Sequence, residues 1–145
     1  MGKIWTLDTL PKLKESVAGK RVLLRVDLNV PMREGKISDI TRIERFLPTV
    51  RELTYLGCKI ILMSHFGRPN GKVITGMSIK PLLEILEAKM DGQQILFLDD
   101  LFNPRTQVLV NGLPAGGVAL LENLRFHAGE EANDRKFVEA LAALG

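Results

Sequence analysis

Two short apolar runs decide the fold of this chain: RVLLRVD at residues 21–27 and CKIILMS at residues 58–64. Both are rich in Val, Leu and Ile and end in a polar residue, which is typical of strands buried on both faces of a parallel sheet. Between them, Ile40, Ile43 and Leu47 recur at three- and four-residue intervals. This spacing predicts an amphipathic helix between the two strands.

The sequence also marks the ends of this helix. Ser38 or Asp39 is expected to cap its N-terminus, because short polar side chains can accept the first free backbone N–H groups. Gly57 stands where a glycine commonly ends a helix in the left-handed conformation. Pro48 lies inside the helix and is expected to kink it, since proline lacks a backbone donor.

Two further strands are predicted at residues 94–98 (QILFL) and 117–122 (GVALLE). Later helices are expected to begin at Ser78, at the pair Asn103 and Pro104, and near residues 134–144. Four strands that alternate with helices predict an α/β fold. We expect a three-layer, Rossmann-like parallel sheet with helices on both faces.

Length and composition place the chain among compact globular domains. Its 145 residues, 46% hydrophobic and 26% charged, suit one domain over residues 1–145. The single cysteine, Cys58, can form neither an internal disulfide nor a zinc site, and is expected to be a core residue rather than a reactive thiol. No apolar run approaches the roughly 20 residues that span a bilayer. These features predict a soluble intracellular domain.

Charge is distributed unevenly along the chain. Residues 1–72 hold 14 Lys and Arg against 7 Asp and Glu, whereas residues 73–145 hold 6 against 10. The basic first half is compatible with an anionic partner, although a solvated basic face is the alternative. Nucleic acid is the less favoured partner, because the second half is acidic and aromatic residues are few.

Polar side chains follow each predicted strand, where ligands bind in open α/β sheets. The planar guanidinium of arginine pairs well with carboxylate and phosphate, so these positions predict a site for a small phosphorylated or carboxylated molecule. Asp27 and Asn29 would contact substrate hydroxyls or hold the arginines. The alternative is that each residue is only a surface charge or part of a loop salt bridge. The candidate site residues are Arg25, Asp27, Asn29, Arg42, His65, Arg68 and Arg125.

Several catalytic motifs are missing from the sequence. No G-x-x-x-x-G-K-[ST] or G-x-G-x-x-G loop follows a strand, and neither a G-x-S-x-G elbow nor an H-E-x-x-H helix occurs. His127, after Arg125, is expected to be solvated. The residues by themselves therefore predict an anion-binding α/β domain that contains neither a nucleotide site nor a metal site.

Four motifs at the strand ends carry a family resemblance. They are RVDLNVP at residues 25–31, the T-R-I turn around Arg42, SHFGRP at residues 64–69 and LLENLRF at residues 120–126. In order and approximate spacing they resemble the N-terminal, 3-phosphoglycerate-binding domain of phosphoglycerate kinases, over nearly the whole chain.

The resemblance implies an activity and a role for each candidate residue. Members of this family have two α/β domains and reversibly transfer a phosphoryl group from 1,3-bisphosphoglycerate to ADP in glycolysis, with magnesium. By motif, Asp27, Asn29 and Arg42 lie around the substrate's carboxyl end and the transferred phosphoryl group. Arg42 has the catalytic role of neutralising charge on that group. His65, Arg68 and Arg125 cradle the 3-phosphate, and Arg25 adds to the basic patch.

The chain departs from the family pattern by lacking its later segments. A strand ending in a D-A-F-G-type motif, a further substrate arginine, the last strands of the N-terminal sheet and the whole domain for Mg-ADP or Mg-ATP are absent. We therefore expect these residues to form a partial N-terminal domain that does not turn over alone and that self-associates through an exposed sheet edge. The full-length protein would be a cytoplasmic monomer with no nucleic-acid or membrane partner. The alternative is a stand-alone small-anion-binding module without catalysis.

Overall fold

A computed structural model of the chain describes residues 17–34 and 36–145, and its main feature is a four-stranded parallel sheet. The strands are β1 (Arg21–Arg25), β2 (Met32–Arg33), β3 (Lys36–Ile37), β4 (Lys59–Met63), β5 (Ile95–Leu98) and β6 (Val118–Leu121). In the main sheet the order is β1-β4-β6-β5, while β2 and β3 form a separate antiparallel pair. The last strand along the chain therefore lies inside the sheet.

Five helices and three short 3-10 turns lie between the strands or after the last of them. The helices are α1 (Thr41–Tyr55), α2 (Leu83–Lys89), α3 (Pro104–Asn111), α4 (Ala128–Ala132) and α5 (Arg135–Ala142), and the turns are Thr75–Met77, Lys80–Leu82 and Leu124–Phe126. These bounds, like those of the strands, refer to the described residues.

Alternate residues of the strands enter two different apolar cores. Ile60 of β4 belongs to a core that includes Leu47 of α1, whereas its neighbour Ile61 packs in a second core with Phe137 of α5. α2 packs in the first core and α3 in the second. Because successive strand residues point to opposite faces, this division places helices on both sides of the sheet. The predicted three-layer α/β fold is confirmed.

The predicted cap at Asn103 is confirmed, and a second side-chain cap occurs where the predicted last helix begins. Asn103 accepts the backbone N–H of Arg105 at 2.9 Å, with Pro104 as the first helical residue of α3. Asp134 accepts the backbone N–H of Phe137 at 3.3 Å at the start of α5. These side chains replace the intrahelical partners that the first N–H groups of a helix lack.

The start of α1 differs from the prediction by one residue. Asp39 accepts both the backbone N–H of Thr41 at 2.9 Å and its hydroxyl at 2.6 Å, but the N-cap residue is Ile40. Asp39 thus forms a local turn before the helix instead of capping it. The predicted end is confirmed, because Gly57 follows the last residues of α1 with a φ of 83°.

The segment after Ser78 begins as a 3-10 turn and becomes α-helical only at α2. The Ser78 hydroxyl oxygen accepts the backbone N–H of Lys80 at 3.1 Å, as an N-terminal cap would. Pro81 lies within the turn Lys80–Leu82, where its missing N–H leaves no intrahelical bond unmade.

The edges of the sheet and the helices determine what is exposed. Within the described residues β1 pairs only with β4, and β5 only with β6, so the outer edge of each has no partner strand there. Cys58, just before β4, is fully buried as predicted, and burial raises the pKa of its thiol. No helix in residues 17–34 and 36–145 is long and apolar enough to cross a membrane.

Candidate anion-binding site

The segment after β1 projects polar side chains from a buried backbone. Val26 and Leu28 are buried while Asp27 and Asn29 are exposed, so the extended alternation of β1 continues beyond the strand. Val26 donates its N–H to the Met63 carbonyl at 3.0 Å, and Leu28 donates its N–H to the Ser64 hydroxyl oxygen at 3.0 Å. These bonds fix the two polar residues at the carboxyl end of the sheet.

Arg42 links the start of α1 to this segment. Its Nη1 lies 3.5 Å from Asp27 Oδ1 and donates a short hydrogen bond to the Asn29 carbonyl. The Asn29 side-chain oxygen accepts the N–H of Gly67 at 3.1 Å, which adds the loop after β4 to the network. Arg42 and Asp27 keep about half of their side-chain surface exposed, so this ion pair is weak and leaves the guanidinium accessible to an anion.

A second group of charges joins the end of β1 to the loop after β6. Glu130 bridges two arginines, with Arg25 Nη2 at 2.8 Å from Oε1 and Arg125 Nε at 3.2 Å from Oε2. The Glu130 side chain is only 8% exposed. Burial alone would raise the pKa of this carboxyl, but hydrogen bonds and charges from the two arginines outweigh burial and hold the pKa below its ordinary value.

His65 lies within the electrostatic field of the same arginines. Burial lowers its pKa first, and the charges of Arg125 and Arg25 lower it further, while Glu130 and Asp27 act in the opposite direction. The net pKa is below the ordinary histidine value, so the imidazole is mainly neutral at pH 7.

Asn123 holds the backbones of two site loops together. This fully buried side chain accepts N–H groups from Phe66 at 3.1 Å and Arg125 at 3.0 Å. It donates in turn to the carbonyls of Phe66 at 2.7 Å and Met77 at 2.9 Å. With its hydrogen-bonding groups satisfied, Asn123 fixes the residue after His65 against the backbone of Arg125.

Glu122, one residue earlier, ties the end of β6 to the approach to α2. Its carboxylate accepts the Ser78 hydroxyl at 2.6 Å and the backbone N–H groups of Ile79 at 2.9 Å and Asn123 at 2.8 Å. Among the described residues, no buried side-chain nitrogen or oxygen lacks a hydrogen-bond partner. The loops around the site are therefore held by complete polar networks.

A groove of about 350 Å³ runs between the end of β1 and the first half of α1. Arg25, Asp27 and Arg42 line it, and so does Arg45, one helical turn after Arg42. The motif reasoning missed Arg45, although its three-residue spacing from Arg42 places both on one helix face. A larger cavity of about 600 Å³ lies elsewhere, near the start of β5 and β6, and none of its lining residues is cationic.

Arg68 is the predicted site residue that remains apart from these contacts. Its side chain is exposed and makes no hydrogen bond or ion pair with the described residues. Its loop is nevertheless anchored, since Gly71 donates its N–H to the Arg125 carbonyl at 3.1 Å. The other predicted residues form two connected groups, one around Arg42 and one in which Glu130 joins Arg25 to Arg125. The charges of these last two arginines reach His65 and lower its pKa.

The expectation that His127 is solvated is wrong. Its ring packs edge-on against Phe102, with centroids 5.0 Å apart, and lies 5.9 Å from Phe137. Burial lowers the pKa of this histidine, partly offset by the charge of Asp100. His127 is therefore a packing residue that fixes the start of α4, because aromatic contacts of this kind stabilise buried rings.

Sequence reasoning also missed Glu130, Asn123 and Glu122 as parts of the site. A carboxylate five residues after Arg125 was a visible signal, but the spacing does not show that it faces a residue of β1. Asn123 and Glu122 stand directly after β6, where polar residues gather, and only the folded chain shows their partners. No group of three or more potential metal-ligating side chains occurs within residues 17–34 and 36–145.

Comparison with known sequences agrees with this geometry. The family model described as phosphoglycerate kinase matches residues 13–145. Phosphoglycerate kinase from Granulibacter bethesdensis is 51% identical over 139 residues, which cover 96% of this chain and 34% of the relative. The enzyme from Methylorubrum extorquens is 52% identical over 140 residues, with 97% and 34% coverage. The chain thus spans about a third of the length of these curated relatives.

Solved structures show the same similarity in three dimensions. Phosphoglycerate kinase from Pyrococcus horikoshii superposes with a TM-score of 0.76 at 32% identity, covering 88% of this chain and 33% of that one. The enzyme from Coxiella burnetii gives a TM-score of 0.74 at 32% identity, with 87% and 31% coverage. The family model matches residues 13–145, which is nearly the whole of this chain. The chain therefore belongs to the phosphoglycerate kinase family.

Proposed function

We propose that this chain carries the 3-phosphoglycerate half-site of a phosphoglycerate kinase that works in glycolysis, in the cytoplasm. The observation that carries the proposal is the convergence of Arg25, Arg125 and His65 at the carboxyl edge of the sheet, with Arg42 on the adjoining groove. Fixed cations at this edge suit a substrate that carries both a phosphate and a carboxylate. Family membership supports 3-phosphoglycerate and 1,3-bisphosphoglycerate as the ligands.

In this proposal the group around Arg42 serves the carboxyl end of the substrate, where the phosphoryl group is transferred. Arg42 is half-exposed and held by Asp27 and the Asn29 carbonyl, so its guanidinium is oriented yet reachable. A phosphoryl group in transfer spreads negative charge over its oxygens, and a fixed guanidinium stabilises that charge. Arg42 therefore acts through electrostatics and positioning, without a covalent intermediate.

The second group serves the 3-phosphate at the other end of the substrate. His65 and Arg125 lie together there, Arg25 is linked to Arg125 through Glu130, and Arg68 is exposed in the loop that Gly71 anchors to Arg125. An exposed arginine in an anchored loop can close onto an arriving anion with little change of the backbone. Arg68 thus completes the cradle only when the ligand is present.

The nucleotide is assigned to residues outside this chain. The described residues contain no group of three potential ligands that fits a magnesium ion, and the sequence has no glycine-rich phosphate loop after a strand. We therefore propose that residues 1–145 are part of a substrate-binding domain. A protein made of these residues alone does not turn over, because phosphoryl transfer needs both substrates in line.

Calorimetric titration of the 145-residue chain with 3-phosphoglycerate, at two salt concentrations, tests the half-site. We expect saturable binding that Arg42→Ala and Arg68→Ala each weaken by about tenfold, the effect of losing a hydrogen bond to a charged group. Arg135→Ala is the matched control, because Arg135 is 90% exposed and, among the described residues, forms its ion pair with the exposed Glu139. Absence of binding by a chain that is folded by circular dichroism would overturn the half-site.

The same chain tests the proposal about turnover. Incubated with 3-phosphoglycerate and Mg-ATP, it should release no ADP above the level without 3-phosphoglycerate, while a full-length relative serves as the positive control. Turnover that depends on 3-phosphoglycerate would show that these residues contain a complete active site.

A further inference from the structure

Glu130 is an acidic residue at the centre of an otherwise basic cluster, and the motif resemblance gives it no role. Each of its two carboxylate oxygens is used for a different arginine, Oε1 for Arg25 and Oε2 for Arg125. These arginines come from distant parts of the chain, one from the end of β1 and one from the loop after β6. One carboxylate thus sets the separation of two of the cationic groups.

Electrostatic repulsion makes such a bridge necessary. Arg25 and Arg125 carry like charges, and both are close enough to His65 to lower its pKa. Arg125 is three-quarters buried, so loss of the Glu130 carboxylate would take a counter-charge away from a partly desolvated guanidinium group. The two side chains would then move apart towards solvent, and a ligand would have to bring them back together before it could bind.

The support beneath Glu130 is rigid. It lies on α4, whose first residue, Ala128, packs closely against Gly71. His127, just before α4, is held between Phe102 and Phe137. The Glu130 side chain is 8% exposed, so few alternative rotamers are open to its carboxylate. It can therefore fix the positions of the two flexible arginine side chains that it contacts.

We propose that Glu130 is a positioning residue of the anion site. It holds Arg25 and Arg125 at a fixed separation in the ligand-free chain, so that the phosphate of the substrate meets donors already in place. The inference rests on the proposed function for the identity of the ligand, but not for the bridge itself. Glu130 acts through the two arginines and does not contact the substrate.

A counter-charge role for the Glu130 carboxylate, in place of a positioning role, predicts a different change in anion affinity. If Glu130 served mainly as a counter-charge that an incoming anion must displace, its neutralisation would raise the local positive potential and tighten anion binding, most at low salt. If Glu130 positions the arginines, its neutralisation weakens anion binding at every salt concentration, because the two arginines are then no longer held at the right separation.

The decisive variant is Glu130→Gln, compared with Glu139→Gln, which makes the same change at an exposed pair in the next helix. Binding of 3-phosphoglycerate is measured by calorimetry at two salt concentrations. We expect about tenfold weaker binding for Glu130→Gln and none of this loss for the control. Glu130→Asp keeps the charge but is one methylene shorter, so it should recover only part of the affinity.

A spectroscopic measurement detects the hydrogen bond between Arg125 and Glu130 in the ligand-free chain. The Nε–H of Arg125 donates to Glu130, so its proton should exchange slowly with water in the parent chain and in Glu139→Gln, and fast in Glu130→Gln. Loss of the signal in Arg125→Lys assigns it. A merely structural role for Glu130 would not release this proton in a variant whose circular dichroism spectrum is unchanged.

The outcomes separate the two proposals. If the parent chain binds 3-phosphoglycerate and Glu130→Gln binds it equally or more tightly, the inference is overturned and the proposed function stands. If the folded parent chain does not bind, the proposed function fails, and with it the assignment of this ligand to the bridged arginines. Rapid exchange of the Arg125 proton in the parent chain would overturn the bridge on its own.

Discussion

We expect the charge state of His65 to depend on the anion that the proposed site binds. Its pKa is lowered by burial and by Arg125 and Arg25, so the ligand-free site holds it neutral at pH 7. A bound phosphate adds negative charge beside the ring and favours the imidazolium form. Binding should therefore raise the pKa of His65 and take up a proton from solution.

The sign of the resulting pH dependence follows by linkage. Between the lower pKa of the free site and the higher pKa of the occupied site, affinity rises as pH falls. Without ligand the effect on folding is opposite: the lowered pKa means that stability is lost as pH falls from the ordinary histidine range through the folded value. Burial and the neighbouring arginines cause the effect on stability, whereas the charge of the bound phosphate would cause the effect on affinity.

Nuclear magnetic resonance titration of the two histidines measures this directly. We expect 3-phosphoglycerate to raise the pKa of His65 and to leave that of His127 unchanged, because the His127 ring packs against Phe102 and Phe137 and not in the proposed site. His127 is thus an internal control. In calorimetry, His65→Gln should remove the proton uptake that the parent chain shows beyond the titration of the ligand itself. An unshifted His65 would place the phosphate elsewhere.

The sequence predicted the candidate site residues more readily than the residues that hold them in place. His65 and Arg125 follow parallel strands, and Arg42 lies in the first turn of α1, so sequence order predicted that all three would lie towards the carboxyl edge of the sheet. Asn123 and Glu130 depend on partners far away in the chain. Nothing local in a polar side chain tells whether it will meet a backbone loop or an arginine.

At the level of elements, the loop after β4 and α4 are packed in direct contact. Gly71 has a φ of 74°, and a Cβ atom added there would lie 2.8 Å from the Ala128 side chain. Only glycine combines this left-handed backbone with such a close approach. The contact keeps the loop that carries Arg68 against the helix that carries Glu130.

Three glycine-to-alanine variants separate the two reasons for glycine at this position. Gly76→Ala, in open space with an ordinary backbone, should leave stability nearly unchanged. Gly92→Ala, with a φ of 80° and no neighbour within 4 Å, should cost about 1 kcal/mol from backbone strain alone. Gly71→Ala adds a clash and should cost about 3 kcal/mol.

Urea unfolding of the three variants measures the difference. Equal losses for Gly71→Ala and Gly92→Ala would mean that Ala128 moves aside at no cost, and that the packing of α4 is looser than the structure shows. A larger loss for Gly71→Ala should also speed exchange of the Arg125 Nε–H, because Glu130 moves with α4.

Elements with a clear apolar period or a capping residue could be predicted from the sequence, and short ones could not. The four strands of the main sheet, α1, α3 and α5 all lie where the sequence predicts them, with ends shifted by a few residues. The β2–β3 pair was missed because two-residue strands are too short to show alternation. α4 was missed because five residues, one of them Gly129, carry no helical period.

In the whole molecule, residues from the basic first half and the acidic second half of the sequence meet in one charged cluster. The basic first half supplies Arg25, Arg42 and His65, while the acidic second half supplies Glu130 on α4, which pairs with Arg25. The sequence predicted the parallel sheet but not its order, since strand order depends on which crossovers pack best.

No strand in residues 17–34 and 36–145 pairs with the outer side of β1, which predicts association of the 145-residue chain at high concentration. Val26 donates its N–H towards β4, so alternate residues of β1, including Arg21, turn their N–H groups to the open side. Unpaired donors on an edge strand can pair with a second chain. Arg21→Pro removes one such donor at the first residue of the strand, where proline is tolerated.

Sedimentation velocity over a concentration series tests this expectation. The parent chain should show a growing fraction of faster species, and Arg21→Pro should shift their appearance to higher concentration. A single monomeric species at every concentration would show that the edge is protected in solution.

The place of β6 between β4 and β5 also has a consequence for synthesis on the ribosome. β1 and β4 can pair as soon as residue 63 has left the exit tunnel, but β5 pairs only with β6, which emerges later. Until then the apolar residues 95–98 have no partner in the sheet. A nascent chain that stalls before residue 118 therefore exposes β5 without its partner strand. Unless a chaperone binds this segment, it is prone to aggregate.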